Sequence, residues 1–316
     1  MSFSNPDEAA VLHPRPASSF FGAPVGDIED LQPGSIAAIG VYCDHFCAGN
    51  PGGRFAARQM RYASTVAGAG LFSADHETAL IDVGDFNVFP LEPARTFDIV
   101  MAQAQRLTST GAKLFALGGD YSVSPAIVEG ITRARGSNDI GLLRVSRRVD
   151  ALPAANHADT TLWRDGATSQ LAKRLNAGLE AVALLGARGD VTLEENARVQ
   201  AATVVPAHEL ATSPTRSVRA ARSKLERSAK HFYLSVDVDV LAPRFGSVAL
   251  MTRHGGISLA QLQVALGALK GMAFIGAELT GHVPDLDVPG RALTQDISTI
   301  GATMLELLAP EAQPCP

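Results

Sequence analysis

The sequence contains little cysteine and few aromatic residues. Its 316 residues include three cysteines, Cys43, Cys47 and Cys315, and only 6% of the chain is aromatic. Cys43 and Cys47 are spaced like metal ligands, but no second pair accompanies them, so this sparse set does not predict a zinc site or a disulfide framework. We expect free thiols in a reducing compartment.

Long apolar runs and an excess of charge are also missing. No segment approaches the roughly 20 apolar residues that span a bilayer. The first residues, MSFSNPDEAAVLHPRP, have neither the basic nor the apolar region of a signal peptide. The net charge of −5 is mild and argues against a general nucleic-acid-binding protein. We therefore expect a cytoplasmic protein with no membrane or nucleic-acid partner.

The sequence does contain a regular alternation of apolar strands and amphipathic helices. The chain is 46% hydrophobic. Predicted strands such as 113–120, 140–150, 203–210 and 231–241 alternate with predicted helices such as 124–135, 192–202 and 258–271. Ser258 is the predicted N-cap of the last of these helices. This alternation predicts an α/β protein, a three-layer α/β/α sandwich with a mainly parallel central sheet. Residues 1–33, rich in Pro, Ser and Gly, predict an irregular N-terminal arm, and residues 34–316 predict a single domain.

Charged residues cluster where the predicted strands end, which is where open parallel sheets bind ligands. The three stretches concerned are LGGDYS (117–122), VSRRVD (145–150) and SVDVDVLAP (235–243). Asp237 and Asp239 are two residues apart on a predicted strand, so they should share a face, where two carboxylates repel unless a cation lies between them. The pair indicates a divalent metal or a basic partner. The alternative is that one aspartate caps the next loop.

A series of motifs along the chain resembles the ureohydrolase family, which includes arginase and agmatinase. In order, they are PGGRFAARQMRYAS, DVGDFNV, LGGDYSVSPAIVEGI, LLGARG, YLSVDVDVLAPRF, HGGIS and AELTG, within residues 35–310. The resemblance implies an arginase-like fold, a trimeric or hexameric assembly and a two-metal centre of manganese or nickel. Such a centre makes a bridging hydroxide that attacks a guanidinium carbon.

Three of the six metal-ligand positions of that family carry other residues in this chain. The six positions are Tyr121, Ser146, Arg148, Asp150, Asp237 and Asp239. The family pattern Gly-Gly-Asp-His ends here on Tyr121, and Asp-x-His-x-Asp falls on Ser146, Arg148 and Asp150. Since a two-metal site needs its imidazole and bridging carboxylate ligands together, the resemblance implies no metal, cofactor or catalytic residue in this chain.

Arg148 is the most informative of these replacements. An arginine stays protonated and cannot bind a metal ion. Strand alternation puts Arg144 and Arg148 on the same face as Asp150. We expect Arg148 to project among the three remaining aspartates, so that a salt-bridge network replaces the metal. The alternative is that Arg148 turns to solvent and leaves a water-filled pocket.

Other positions of the family's substrate pocket are altered too. Ala242 stands where the family has an aspartate, and SVALMT (247–252) where it has a Gly-rich loop. Glu278 matches the family glutamate that faces the substrate guanidinium, unless it is an ordinary strand-end carboxylate. His157 falls on the proton-shuttle position, but it would have no metal hydroxide to assist.

Three hypotheses for the function follow. The favoured one is a non-catalytic supporting subunit of a hetero-oligomer, in which a catalytic ureohydrolase paralogue with nickel or manganese cleaves a guanidine or biguanide. The pattern is similar to that of the ligand-deficient subunit of heteromeric metformin hydrolase. Selective loss of ligands favours it, because random decay would also damage glycines and strands. The others are an active hydrolase with a rearranged, single-metal or metal-free site, and a regulatory protein that binds a small anion through Arg144 and Arg148.

Overall fold

An eight-stranded parallel sheet lies at the centre of the protein. The computed structural model describes residues 18–44, 50–67, 80–136, 139–150, 167–188, 199–242, 255–287 and 292–309. The strands are β1 (Ile36–Gly40), β2 (Leu80–Asp85), β3 (Lys113–Leu117), β4 (Ile140–Val145), β5 (Val182–Ala187), β6 (Thr203–Pro206), β7 (His231–Asp237) and β8 (Phe274–Thr280). Their order across the sheet is β2-β1-β3-β8-β7-β4-β5-β6, and all neighbours pair in parallel. The predicted fold class is confirmed.

Helices cover both faces of this sheet. They are α1 (Ala56–Ala67), α2 (Pro93–Ser109), α3 (Ser124–Arg135), α4 (Ala167–Arg174), α5 (Ala207–Thr212), α6 (Pro214–Leu225), α7 (Leu259–Gly267) and α8 (Ala292–Leu308). One apolar core joins the sheet to α1, α6, α7 and α8, and a second joins the other face to α2, α3 and α4. Within the described ranges, no helix combines the length and the apolar character needed to cross a bilayer.

The strands are almost continuously apolar because both faces of the sheet are covered. In β1, Ile36 and Ala38 enter one core, whereas Ala37 and Ile39 enter the other. Every residue of β1, β2, β4, β5 and β8 is buried. The alternation of side chains along each strand therefore builds two cores from one sheet.

Several elements are shorter than the sequence pattern predicts. The strand predicted over 203–210 ends at Pro206, and α5 begins at Ala207, since proline has no N–H for a ladder hydrogen bond. The strand predicted over 140–150 ends at Val145, and the one over 231–241 ends at Asp237. Most of the helix predicted over 192–202 lies outside the described residues. The predicted division into an arm, 1–33, and a domain, 34–316, stays a prediction.

Candidate functional site

The acidic residues of the motifs meet at the carboxyl ends of four neighbouring strands. In the sheet order β3-β8-β7-β4, each strand lies beside the next, and their ends carry Asp120, Glu278, Asp237 and Asp150, all of which are buried. Carboxyl ends of parallel strands share one edge of the sheet. The topology therefore gathers motifs that are up to 158 residues apart in the sequence.

Glycines beside this edge of the sheet allow neighbouring backbone segments to approach closely. Gly118 and Gly119 follow β3 with positive φ angles of 91° and 71°. A Cβ atom at Gly118 would lie 2.7 Å from the backbone nitrogen of Ala57. Only glycine adopts this conformation at no steric cost. The turn therefore needs both glycines, and it delivers Asp120 and Tyr121 to the site.

A ladder of buried polar side chains crosses β4, β7 and β8. Arg144 pairs in register with Ser235, which pairs with Glu278. The Arg144 Nη1 donates to Ser235 Oγ at 3.3 Å, and that hydroxyl donates to Glu278 Oε1 at 2.6 Å. Tyr233 donates to Glu278 Oε2 at 3.2 Å. Burial raises the pKa of Glu278, and the Ser235 hydrogen bond opposes this rise only in part.

The segment after β4 brings a second arginine to Asp150. The Nε of Arg148 lies 2.6 Å from Asp150 Oδ1, and the Nη2 of Arg144 lies 3.6 Å from Asp150 Oδ2. Asp150 has a φ of 47°, an uncommon conformation for a residue other than glycine. Arg148 keeps a quarter of its side chain exposed, whereas that of Asp150 is buried. The Asp150 carboxylate therefore has a positively charged arginine on each of two sides.

Asp237 and Asp239 are linked by a turn rather than by strand alternation. The residues after Asp237 form a 3-10 turn, Val238–Val240, and Asp237 Oδ1 accepts the backbone N–H of Asp239 at 2.9 Å. Burial, followed by the charge of Asp239, raises the pKa of Asp237, and the positive charge of Arg144 opposes that rise. Burial also raises the pKa of Asp239. Both the cap and the close pair anticipated from the sequence are present.

Arg147, which the sequence did not assign to the site, pairs with Asp239, while Arg148 contacts Asp150. The backbone N–H of Arg147 donates to Asp239 Oδ1 at 3.0 Å, and its Nε lies 3.7 Å from Oδ2. Ser146 donates to the same Oδ1 at 3.3 Å. The contact of Arg147 was not predicted because β4 ends at Val145, so strand periodicity no longer places the residues that follow. Three arginines, Arg144, Arg147 and Arg148, therefore pair with the aspartates.

The other predicted positions contribute less. Tyr121 lies with its ring 5.3 Å from the Arg144 guanidinium carbon. Ala242 donates its backbone N–H to Ile257 at 2.8 Å and brings no polar side chain. His157 and the loop 247–252 lie outside the described residues. The sequence reasoning missed Tyr233 and Ser235, although two hydroxyl side chains inside the apolar strand β7 were a usable signal.

Glu278 gives a prediction about pH. Because burial raises the pKa of Glu278, the folded chain binds this proton more tightly than the unfolded chain does. The stability from this group is complete below the unfolded pKa of about 4.3 and is lost as pH rises through the folded value. We expect Glu278→Gln to raise the Tm by a few degrees at neutral pH, and the gain to vanish near pH ~4. Thermal unfolding across this range measures it.

The exposed Glu306 on α8 provides the control for that experiment. Glu306→Gln removes the same charge from a solvated position, so its Tm should follow the wild type at every pH. A loss of stability in Glu278→Gln at neutral pH would contradict the prediction, because it would mean that the ionised carboxylate stabilises the fold.

Comparison with known proteins places the chain in a family. The model of the Arginase family matches residues 34–306. The mitochondrial agmatinase of Gallus gallus is 24% identical and covers 92% of this chain and 87% of its own length. The guanidinobutyrase of Pseudomonas aeruginosa is 24% identical, with 87% of this chain and 86% of its own length covered.

Solved structures show the same fold. A protein from Burkholderia thailandensis described as a hypothetical agmatinase has a TM-score of 0.81 at 20% identity, covering 92% of this chain and 90% of its own. Proclavaminate amidino hydrolase from Streptomyces clavuligerus has a TM-score of 0.79 at 21% identity, covering 94% and 99%. These likenesses confirm the arginase-like fold, and the match over residues 34–306 confirms the family. This chain belongs to the Arginase family.

Proposed function

We propose that this chain is a non-catalytic, supporting subunit of a heteromeric ureohydrolase. Its partner is a catalytic paralogue that carries nickel or manganese and hydrolyses a guanidine or biguanide compound such as metformin. The two would form a trimer or hexamer, with this chain burying part of the partner's surface and shaping the entrance to its site. The agmatinase and guanidinobutyrase names of its relatives support a guanidino compound as the substrate class.

The observation that carries the proposal is that two of the three remaining aspartates pair with arginines. Asp150 lies against Arg148 and Arg144, and Asp239 against Arg147. A two-metal centre needs open carboxylate and imidazole ligands, and a guanidinium beside them repels a dication. The donor set therefore does not fit the metal pair of the family, and we derive no catalytic step through a metal here.

The pattern of retained and lost features also supports a supporting role. The Gly118-Gly119 turn, the parallel sheet and the two apolar cores are intact. The replacements fall on the ligand positions Tyr121, Ser146 and Arg148. Selection for a folded surface without selection for chemistry explains both facts.

Co-expression with a complete paralogue tests the proposal. We expect a mixed-chain oligomer by native mass spectrometry, and guanidine hydrolysis that requires both chains. The isolated chain should be inactive. If the paralogue hydrolyses guanidine equally well with and without this chain, and no mixed complex forms, the proposal is wrong.

Asp237→Asn separates a supporting subunit from a hydrolase with a rearranged single-metal site. The variant keeps the shape of Asp237 and can keep the hydrogen bond from the Asp239 N–H. If this chain only supports its partner, kcat of the assembled complex should change by less than about twofold, which is a barrier change below ~0.4 kcal/mol. A single-metal hydrolase would lose its activity, because a carboxylate ligand would be replaced by a neutral amide. Steady-state kinetics of the purified complex decide between the two.

A further inference from the structure

Among the described residues, two arginines are fully buried, and their surroundings differ. Arg61 and Arg144 both have 0% exposure. The guanidinium of Arg61 makes four hydrogen bonds of 2.6–2.9 Å, to both carboxylate oxygens of Asp82, to Asp85 and to the carbonyl of Gly84. Such a bidentate arrangement with several short hydrogen bonds is the geometry of a structural arginine.

Arg144 is held much more loosely. Its hydrogen bond from Nη1 to Ser235 Oγ is 3.3 Å long, and its Nη2 lies 3.6 Å from Asp150 Oδ2. Within the described part of the chain, Arg144 Nε and Nη2 and Asp150 Oδ2 make no hydrogen bond to protein atoms. Unpaired buried donors and acceptors are costly. The side chain is therefore held in place by charge more than by a fitted set of hydrogen bonds.

The groups around Arg144 have the composition of a receptor for a planar cation. Asp150 is in direct contact, and the carboxyl groups of Asp237 and Glu278 are close enough to interact electrostatically with the same guanidinium. The Tyr121 ring lies 5.3 Å from its central carbon, within the range of a cation–π contact. If Arg144 were absent, these carboxyl groups and the aromatic ring would attract a free planar cation to the position of its guanidinium.

We propose that Arg144 is a built-in ligand that closes this chain's own site. Asp150, Glu278 and Tyr121 form a buried cation pocket, and the Arg144 guanidinium occupies it. Without Arg144, this pocket would be available to a free cation. The proposal rests on the proposed function, because it supplies a physical reason why a supporting subunit does not bind ligands of its own. It predicts that removing this one side chain opens the pocket.

The test uses the purified full chain and methylguanidinium as the probe. Arg144→Ala should lose stability and regain it with millimolar methylguanidinium, with a rise in Tm of about 3 °C at ten times Kd. The wild type should show no rise, because its pocket is filled. Arg144→Met should show none either, because a side chain of similar length fills the cavity without charge. Equal responses of all three proteins would overturn the proposal.

Two further measurements locate the binding. Adding Asp150→Asn to Arg144→Ala should weaken methylguanidinium binding at least tenfold by calorimetry. An unchanged affinity would overturn the proposal, since the cation would then bind elsewhere. If Arg144→Ala takes up manganese or nickel and ignores methylguanidinium, the proposal also falls, because the pocket would be a metal site.

The proposal remains testable if Arg144→Ala does not fold alone. Refolding from urea with methylguanidinium should then recover folded protein, whereas ethylammonium, a cation that is not planar, should recover much less. Equal recovery with the two cations would overturn the proposal. None of these experiments involves a partner chain, so their failure is distinct from a failure to form the mixed oligomer.

Discussion

Replacing Arg61 with methionine is expected to destabilise the protein by about 3–5 kcal/mol, the range for a buried ion pair that loses one partner. Urea-induced unfolding should show a lower midpoint with little change in slope. The loss should be among the largest for any single side chain in the protein, although Arg61 lies on α1 and outside the candidate site.

The reason is the environment that Arg61 leaves behind. Its Nε lies 2.8 Å from Asp82 and its Nη1 lies 2.7 Å from Asp85, with the Phe20 ring 4.4 Å from the guanidinium carbon. Burial alone would lower the pKa of Arg61, but the hydrogen bond and charge of Asp82 and the charge of Asp85 outweigh burial and raise it. Without Arg61, the two buried carboxylates of β2, Asp82 and Asp85, lose this counter-ion.

Arg222→Met provides the matched control. Arg222 forms an ion pair of 2.8 Å with Glu226, four residues along the chain and partly exposed to water. Pairs of this kind contribute about 0.3–0.5 kcal/mol. If the two variants lose similar stability, Arg61 does not have the structural role that its four hydrogen bonds indicate.

The fold was predictable from the sequence because its signal is repeated along the whole chain. Apolar runs alternate with helical periods, and a helix such as 124–135 appears with the predicted bounds. The capping box of Ser258 and Gln261 likewise begins α7 where the predicted N-cap places it. Errors fell at strand ends, where a proline or an aspartate cap ends the ladder within one residue.

The sequence indicated which residues belong to the candidate site, but not how its arginines and aspartates pair. The order of motifs identified Asp150, Asp237 and Asp239, and parallel topology brought them together. Which arginine meets which aspartate depends on the turn after Val145, where periodicity stops. The role of Arg144 also depends on Ser235, a neighbour 91 residues away that only the strand register reveals.

Restoring the three altered ligand positions is expected to restore metal binding only if Arg144 is also removed. The first variant combines Tyr121→His, Ser146→Asp and Arg148→His. The second adds Arg144→Met. We expect the second variant to bind manganese or nickel about 1000-fold more tightly than the first, as measured by competition with a metal-binding dye.

The expected ratio follows from the position of the Arg144 charge. The Nη2 of Arg144 lies 3.6 Å from the Asp150 oxygen that a restored metal would need. At an effective dielectric constant of 20, two unit charges about 4 Å apart interact by about 4 kcal/mol, and a dication carries twice the charge. Even half of the resulting repulsion corresponds to about three powers of ten in affinity.

Arg174→Met, added to the first variant instead, removes an arginine that pairs with Glu129 at 3.2 Å, between α3 and α4. Its metal affinity should equal that of the first variant, which would show that the gain depends on where the positive charge lies and not on net charge alone. Equal affinity of the variants with and without Arg144 would mean that this guanidinium moves out of the way of a metal. In that case, the presence of Tyr121, Ser146 and Arg148 at ligand positions would alone explain weak metal binding by this chain.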